Sequence, residues 1–233
     1  MIRTIAPRGL VALTLALGIA LGTVTVAPDE AAGEGAQSAR LPDSDAELVS
    51  QVEQYLSSVD TVHARFRQRS SNGATAKGEV WVDRPGKLRF EYDPPHPSLI
   101  VSNGRFLVHY DRELEQTSYV PVSRTPLWFL IRERIDLFEI EDYELADITR
   151  KPDGVWIDIV QTGSSPGEPG SVELRFMRDP LRLAGWSILD QQGIRTTVTL
   201  VEPEFGVKVA AERFDFGELD LPEPGRSPQQ RGR

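Results

Sequence analysis

The stretch VDRPGKLRFEYDPP, residues 82–95, decides the fold. It joins an Arg-Pro-Gly turn to a strand with a large apolar side chain at every second position. Because successive side chains of a strand point to opposite faces, Leu88, Phe90 and Tyr92 share one face, and the charged residues between them share the other. Such a face either packs into a solid core or lines a hollow, and the alternation alone leaves both interpretations open.

The patterns on both sides of this stretch predict a mainly β protein. Apolar residues at helical spacing indicate one helix over residues 44–59, and strand patterns then follow one another, the last over residues 212–219. Short turns such as Asn103-Gly104 indicate antiparallel hairpins. A sheet of about ten or eleven strands is long enough to curl, so we expect an incomplete, half-open antiparallel β-barrel.

The alternation stops between residues 125 and 140. Thr125 is a favourable N-cap, Pro126 suits a first helical position, and residues 127–131 are all apolar. We therefore expect one or two short helices here, which cover the apolar face of the sheet.

The N-terminal segment has the pattern of a signal peptide. Arg3 and Arg8 precede an apolar stretch from Leu10 to Val26, and small residues follow, so that the cleavage site lies between residues 27 and 36. A single anchoring helix is the alternative. The chain divides into a signal peptide (1–27), a disordered leader (28–42), a folded domain (43–220) and a disordered tail (221–233). We therefore expect export and a soluble domain outside the cytoplasm.

The composition excludes several classes of function. The chain has 233 residues, a net charge of −9 and no cysteine. A diffuse acidic balance argues against nucleic-acid binding, which needs clustered lysine and arginine. Without cysteine there are no disulfides, thiolate metal sites or cysteine nucleophiles, and no lipid-modified N-terminal cysteine.

No motif typical of an enzyme or a metal site stands out. The three histidines, His63, His96 and His109, lie in separate strands or loops without ligand spacing. The sequence GSSPG at 163–167 matches G-x-S-x-G, but a strand follows it, whereas a nucleophile elbow needs a helix. The acidic residues of 139–144 are typical of a solvated face. We therefore predict no enzyme activity, no metal and no cofactor.

Three segments together resemble the LolA family of periplasmic carriers of outer-membrane lipoproteins. The first is VHARFRQ (62–68), directly after the predicted helix. The second, residues 78–111, carries a W-V-x-R-P turn, the aromatic strand and a V-S-N-G hairpin, and the third is TPLWFLI (125–131). The order and spacing of the three segments resemble those of the family, and the resemblance covers about residues 44–217.

The resemblance implies a fold, a function and partners. The fold is an incomplete β-barrel with a helical lid over an apolar cavity. The function is to receive lipoproteins from an inner-membrane ABC transporter, to shelter their acyl chains, and to deliver them to the outer membrane. The acceptor there is LolB or the outer membrane itself. The resemblance further implies a monomer in the periplasm of a Gram-negative bacterium, without nucleic acid as a partner.

The resemblance also implies roles for particular residues. Arg84 corresponds to an arginine that hydrogen-bonds to lid backbone and holds the empty cavity closed. The residues expected to line the cavity are Leu88, Phe90, Tyr92, Leu99, Val101, Phe106 and Val108. The residues expected to form the lid are Leu127, Trp128, Leu130 and Ile131.

Other interpretations stay open at this stage. A LolA-like sensor, or another lipid-binding periplasmic protein, would hold lipid or lipoprotein in the same cavity to regulate a partner. A periplasmic esterase would need a serine and a histidine within reach of one another. A purely structural β protein would have a solid interior, so a cavity would argue against it.

Overall fold

The computed structural model describes residues 43–96, 98–125 and 128–215. The expected signal peptide, leader and tail lie outside these ranges. The first element is helix α1, Asp43–Ser58, as the apolar spacing predicted. Its stripe of Val49, Val52 and Leu56 is buried, so the helix packs against the rest of the chain along one face.

Eleven strands of the described ranges form one antiparallel sheet. They are β1 (Thr61–Ser70), β2 (Thr75–Asp83), β3 (Lys87–Tyr92), β4 (Ser98–Asn103), β5 (Phe106–Asp111), β6 (Gln116–Pro121), β7 (Tyr143–Lys151), β8 (Gly154–Gln161), β9 (Val172–Arg178), β10 (Leu181–Leu189) and β11 (Arg195–Phe205). The order is β6-β5-β4-β3-β2-β1-β11-β10-β9-β8-β7. Strands β6 and β7 are edges that do not pair with each other, which confirms the prediction of an open, barrel-like antiparallel sheet.

The register assigns each strand residue to a face. We call the face covered by α1 the inner face and the opposite one the outer face. Val80 pairs with Phe90 and Val82 pairs with Leu88, and directly paired residues of neighbouring strands share a face. The apolar face of the decisive stretch therefore continues into β2. Trp81 lies on the outer face, where its ring stacks on His63 with a centroid distance of 5.2 Å.

Of the segment predicted as a last strand, 212–219, residues 216–219 lie outside the described residues, and residues 212–215 do not form a strand. Residues Ala211–Phe214 form a short 3-10 helix that contacts β3 and β4. A twelfth strand has no place beside β11, since β1 and β10 occupy both of its edges. This short helix instead covers the outer face. Phe214 is buried, and the guanidinium of Arg213 lies 4.2 Å from the Trp81 ring centroid.

Residues 122–142, which we call the lid segment, connect the two edge strands. They contain the short 3-10 helices Val122–Arg124 and Trp128–Ile131, where one or two short helices were expected. Among its described residues, the buried apolar ones are Val122, Phe129, Ile131, Ile135, Leu137 and Ile140. Ile135 and Leu137, which follow the second 3-10 helix, lie two positions apart, a spacing that suits an extended chain better than an α-helix.

The inner face has a solid half and a hollow half. Over β8 and β9, side chains of α1 and of the lid segment complete one apolar cluster with the sheet. The Tyr55 ring, for example, contacts Phe176 edge to face at 6.3 Å. Over β1–β5, β10 and β11 the same face leaves a cavity. No helix in the described ranges is long and apolar enough to cross a membrane.

Candidate functional site

The candidate site is an apolar cavity of about 230 Å³ between the sheet, the C-terminal end of α1 and the lid segment. Its lining includes Val62 near the start of β1 and Gln68 and Ser70 near its end; Val62 and Ser70 are about 26 Å apart at the rise of an extended strand. At one end lie Arg84, the end of α1 and the lid segment; at the other lie the β1–β2 and β10–β11 turns. The cavity is thus long and narrow, and its two ends differ in chemistry.

The decisive stretch supplies one wall of this cavity. Leu88, Phe90 and Tyr92 share one face, as their alternation predicted, and all three belong to the lining. The Phe90 ring packs edge to face against Phe66 at 5.3 Å and against Trp186 at 6.1 Å. Aromatic contacts of this kind add to the burial of apolar area, so this wall is firmly packed.

The assignment of the next two strands to the cavity was wrong by one position. Leu99, Val101, Phe106 and Val108 lie on the outer face, while Ile100, Leu107 and His109 line the cavity. The register is the reason, because Phe90 pairs with Ile100 and Ile100 pairs with His109. Leu99, Val101 and Val108 are nevertheless buried, since the 3-10 helix that ends at Phe214 contacts this side of β4.

The lid residues divide into three groups. Leu130 and Ile131 line the cavity. Trp128 is half-buried outside the lining, and its ring lies 4.5 Å from the guanidinium carbon of Arg132. Leu127 lies outside the described residues. That any of these side chains contacts an acyl chain stays a prediction.

Arg84 joins the two elements that cover the cavity. Its Nη2 donates to the carbonyl oxygens of Leu56 and Val59 at the end of α1. Its Nη1 donates to the carbonyl of Arg132 in the lid segment at 3.5 Å. Carbonyls in the last turn of a helix have no partner within the helix, so the guanidinium satisfies them. The expected partners were lid carbonyls, whereas most of the contact is with α1.

Burial lowers the pKa of the Arg84 guanidinium below its ordinary value, although the nearby Asp60 and Tyr55 act in the opposite direction. An arginine stays charged throughout the physiological range in spite of such a shift. In the closed arrangement, the half-buried Arg84 cation is therefore stabilised by the backbone carbonyls that accept its hydrogen bonds.

A second attachment of the lid segment lies beside Arg84. The backbone N–H of Gly86 donates to the carbonyl of Ile131 at 2.6 Å, and Ser102 Oγ donates to the Gly86 carbonyl at 2.7 Å. Gly86 has a φ of 77°, and a Cβ there would lie 2.5 Å from the Cα of Gly104. Only glycine fits this turn, which explains the Arg-Pro-Gly sequence.

A third attachment joins the lid segment to the middle of α1. The backbone N–H of Leu137 donates to Glu53 Oε1 at 2.6 Å. Burial raises the pKa of the Glu53 carboxyl above its ordinary 4.5; the hydrogen bond from Leu137 lowers it, and Asp136 raises it again. The lid segment is thus tied by polar bonds at a few points, while apolar contacts cover the rest.

Uncharged polar side chains cluster at the opposite end of the cavity, which we call the polar end: Gln68, Ser70, Tyr92 and Thr196. Tyr92 Oη donates to Gln68 Oε1 at 2.9 Å, and the hydroxyls of Ser70 and Thr196 lie 3.0 Å apart. Burial raises the pKa of the Tyr92 hydroxyl, so it stays protonated and remains a donor. The lining extends past these residues to Asn72, which is exposed at the β1–β2 turn.

His109 of the cavity lining has its Nε2 3.5 Å from Oγ of the buried Ser98, a contact at the long limit of a hydrogen bond. A serine and a histidine thus lie within reach of one another, as the esterase alternative requires. Burial lowers the pKa of His109, and Asp111 partly opposes this effect. Asp111 Oδ1 accepts the backbone N–H groups of Glu113 and Leu114 in the next turn. The sequence GSSPG lies in the turn between β8 and β9. Within the described ranges, no three acidic or histidine residues are grouped so as to hold a metal ion.

Sequence analysis did not assign several lining residues to the cavity, although their strands show the same alternation of side chains. Val80 and Val82 alternate with charged or outward residues in β2, and Thr196, Val198 and Leu200 alternate in β11. The alternation identifies a shared face, but only the sheet order shows that these strands lie beside the decisive stretch. The order places β11 next to β1, far from its position in the sequence.

Comparisons with known proteins agree with this geometry. A family model described as outer membrane lipoprotein carrier protein LolA matches residues 57–217, a range that includes all eleven strands and the lid segment. An outer-membrane lipoprotein carrier protein of Chromohalobacter salexigens is 30% identical over 186 residues, which cover 72% of this chain and 80% of the relative. The carrier protein of Azotobacter vinelandii is 30% identical over 190 residues, covering 74% and 85%.

One solved structure that is similar to this chain is that of a LolA superfamily protein from Nitrosomonas europaea. It matches with a TM-score of 0.42 and 11% sequence identity, over 73% of this chain and 99% of the other.

Proposed function

This chain belongs to the LolA family of outer membrane lipoprotein carrier proteins, and from this premise we propose that it carries lipoproteins across the periplasm. The observation that supports the proposal most directly is the apolar cavity beneath a lid segment that is tied at few points. The names of the relatives indicate that the cargo is a lipoprotein, and the cavity offers a place where its acyl chains can be buried.

The need for such a carrier follows from the hydrophobic effect. Each methylene removed from water contributes about 0.8 kcal/mol, so an acyl chain of roughly 15 methylenes resists transfer to water by about 12 kcal/mol. A protein that moves such a chain between membranes has to offset most of this free energy. The side chains of Leu88, Phe90 and Trp186 offer the apolar surface for this purpose.

Uptake requires the cavity to enlarge. Its volume of about 230 Å³ lies below the range of about 300–1,000 Å³ that is typical of ligand sites. The sheet is one continuous hydrogen-bonded ladder from β6 to β7, whereas polar bonds tie the lid segment at a few points. Displacement of the lid segment and of the α1 end is therefore the route by which volume is gained.

Release depends on the same contacts. When a protein binds cargo only in its open state, the preference for the closed state weakens the apparent affinity by the fraction of molecules that are open. The bonds of Arg84 favour closure, so they oppose retention of the cargo. A carrier of this kind can bind lipoproteins and release them again without a chemical reaction.

The partners belong to the same proposal. An inner-membrane ABC transporter hands lipoproteins to the open cavity, and the outer-membrane acceptor LolB, or the outer membrane itself, receives them. Direction then arises from successive partners with increasing affinity for the acyl chains. The support for these partners is the family name that the chain shares with its relatives.

A binding and transfer experiment tests the proposal. The purified protein is loaded with a fluorescent acyl probe, and a synthetic diacylated lipopeptide is added as competitor. We expect displacement of the probe, followed by passage of the lipopeptide to acceptor vesicles. Failure of the probe and of the lipopeptide to bind would contradict the proposal, and stable binding without any transfer would indicate a sensor instead of a carrier.

A further inference from the structure

The two ends of the cavity are chemically different, which bears on how a bound molecule is oriented. Arg84 lies at one end, beside the start of β1, and the polar end lies at the other, where Ser70 is about 26 Å from Val62 along β1. Between them the lining is mainly apolar, with Val80, Phe90 and Val198 as examples. A bilayer core of about 30 Å contains two acyl chains end to end, so one extended chain fits within this length.

The polar end has hydrogen-bond donors that its internal bonds leave available. Ser70 and Thr196 carry one hydroxyl hydrogen each, and a single contact of 3.0 Å joins their oxygens. One of these hydrogens therefore stays available to a ligand. Gln68 receives the Tyr92 hydroxyl on Oε1, and its amide nitrogen has two further N–H groups.

The charges at this end favour a neutral acceptor over an anion. Among the lining residues of the described ranges, Arg84 is the one arginine or lysine, and it lies at the far end. The buried carboxylate of Asp190 is near the polar end, where it accepts the backbone N–H groups of Gln192 and Ile194. Donors without a cation, beside a carboxylate, suit carbonyl oxygens better than phosphate.

We propose that the polar end binds the ester and amide carbonyls at the head of a diacylated lipopeptide, so that the acyl chains extend from there toward Arg84. This inference rests on the proposed carrier function. The peptide that follows the lipidated residue then leaves the cavity beside Asn72, where the lining reaches the protein surface. Thr196 and Tyr92 act as positioning residues for the cargo head, and the apolar walls hold its chains.

A comparison of two ligands tests the carbonyl contacts. One is a lipopeptide with ester-linked chains; the other is its ether-linked analogue, which lacks the ester carbonyls. Each hydrogen bond that the analogue loses should weaken its binding to the wild-type protein by about 2- to 10-fold. Thr196→Val replaces a hydroxyl with a methyl group, and Tyr92→Phe removes a hydroxyl. Both variants are expected to discriminate less than the wild type between the ester-linked and the ether-linked ligand.

Thr197→Val is a matched control on the same strand. The Thr197 hydroxyl bonds to Ser187 at 2.9 Å on the outer face, so its loss should leave the ester preference unchanged. Thermal melting of the three variants checks that each is folded. If Thr196→Val and Tyr92→Phe keep the full ester preference, the assignment of the polar end is overturned.

A second experiment measures the orientation of the bound cargo. The chain has no cysteine, so Asn72→Cys provides a single site for a fluorophore. A nitroxide on the peptide residue next to the lipidated one should quench this fluorophore more strongly than a nitroxide at the end of an acyl chain. The opposite order would overturn the inference while leaving the carrier function intact.

A phospholipid arm distinguishes the two sources of ester carbonyls. A diacyl phospholipid presents the same esters next to a phosphate, and we expect it to compete less well than the lipopeptide. Equal competition would assign the polar end to phospholipid and overturn the proposal. Absence of lipopeptide binding altogether would contradict the carrier function and this inference together.

Discussion

Replacement of Arg84 by leucine tests how the closed state controls binding. The side chain of Arg84 donates to the carbonyls of Leu56 and Val59 and, at 3.5 Å, to that of Arg132. Leucine keeps an apolar side chain of moderate size at the position but cannot donate. The end of α1 and the lid segment then lose their shared partner, so the open state becomes more populated.

The magnitude follows from the contacts. Two hydrogen bonds from a charged group contribute about 3 to 6 kcal/mol, and the contact to Arg132 is too long to add much. Burial of the leucine side chain returns about 1.5 to 3 kcal/mol. The closed state should therefore lose about 1 to 3 kcal/mol of its preference, which corresponds to roughly 5- to 150-fold tighter apparent binding.

The assay is the affinity and the dissociation rate of a diacylated lipopeptide, followed by its transfer to acceptor vesicles. We expect Arg84→Leu to bind more tightly and to release more slowly than the wild type. Arg89→Leu is the matched control, because Arg89 lies on the outer face and bonds to Glu91 and to the Arg213 carbonyl. Wild-type affinity and transfer rates in Arg84→Leu would refute the role of this residue in closure.

Three further changes test the cavity wall, the lid attachment and the turn. Phe90→Glu places a charge in the apolar lining at a cost of about 3 kcal/mol or more, so lipopeptide affinity should fall at least roughly 100-fold, whereas Phe106→Glu on the outer face should retain binding. Because burial raises the pKa of Glu53 above 4.5, its ionised form costs folding stability that returns as the pH falls below that range. Thermal melting should therefore show Glu53→Gln more stable than the wild type near pH 7, with the advantage lost near pH 4.5; an advantage that grows with acidity would contradict this. Gly86→Ala adds a close contact to the cost of a positive φ and should lower the melting temperature more than Gly193→Ala, whose Cβ meets open space. Equal losses in the two alanine variants would show that the turn at residue 86 is not tightly packed.

The alternation of the decisive stretch was enough to predict that its apolar residues share one face of a strand, whereas the cavity that this face lines was implied by the family resemblance. Leu88, Phe90 and Tyr92 alternate with charged residues, so only one face of β3 is apolar. Strand β4 has no such contrast, because Leu99, Ile100 and Val101 are all apolar and all buried. Its inner face is decided by pairing with β3 and by the helix that covers the outer face, and neither can be seen in the strand itself.

The partners of Arg84 were beyond sequence analysis for another reason. Its acceptors are backbone carbonyls, and a carbonyl is present at every residue whatever its side chain. The Arg-Pro-Gly turn indicated a fixed arginine, but only the packing of α1 shows which carbonyls lie within its reach. The polar end was missed similarly, since Gln68 and Thr196 come from strands that are distant in sequence and adjacent in the sheet.

The most direct test of the account measures whether the lid segment moves when cargo binds. Glu133 is exposed on the lid segment and Arg105 in the turn between β4 and β5, and the absence of native cysteine allows spin labels at Glu133→Cys and Arg105→Cys. We expect a diacylated lipopeptide to shift the distance distribution between the labels to longer values, and Arg84→Leu to shift it partly without any ligand. An unchanged distribution in protein that demonstrably holds the lipopeptide would contradict the account.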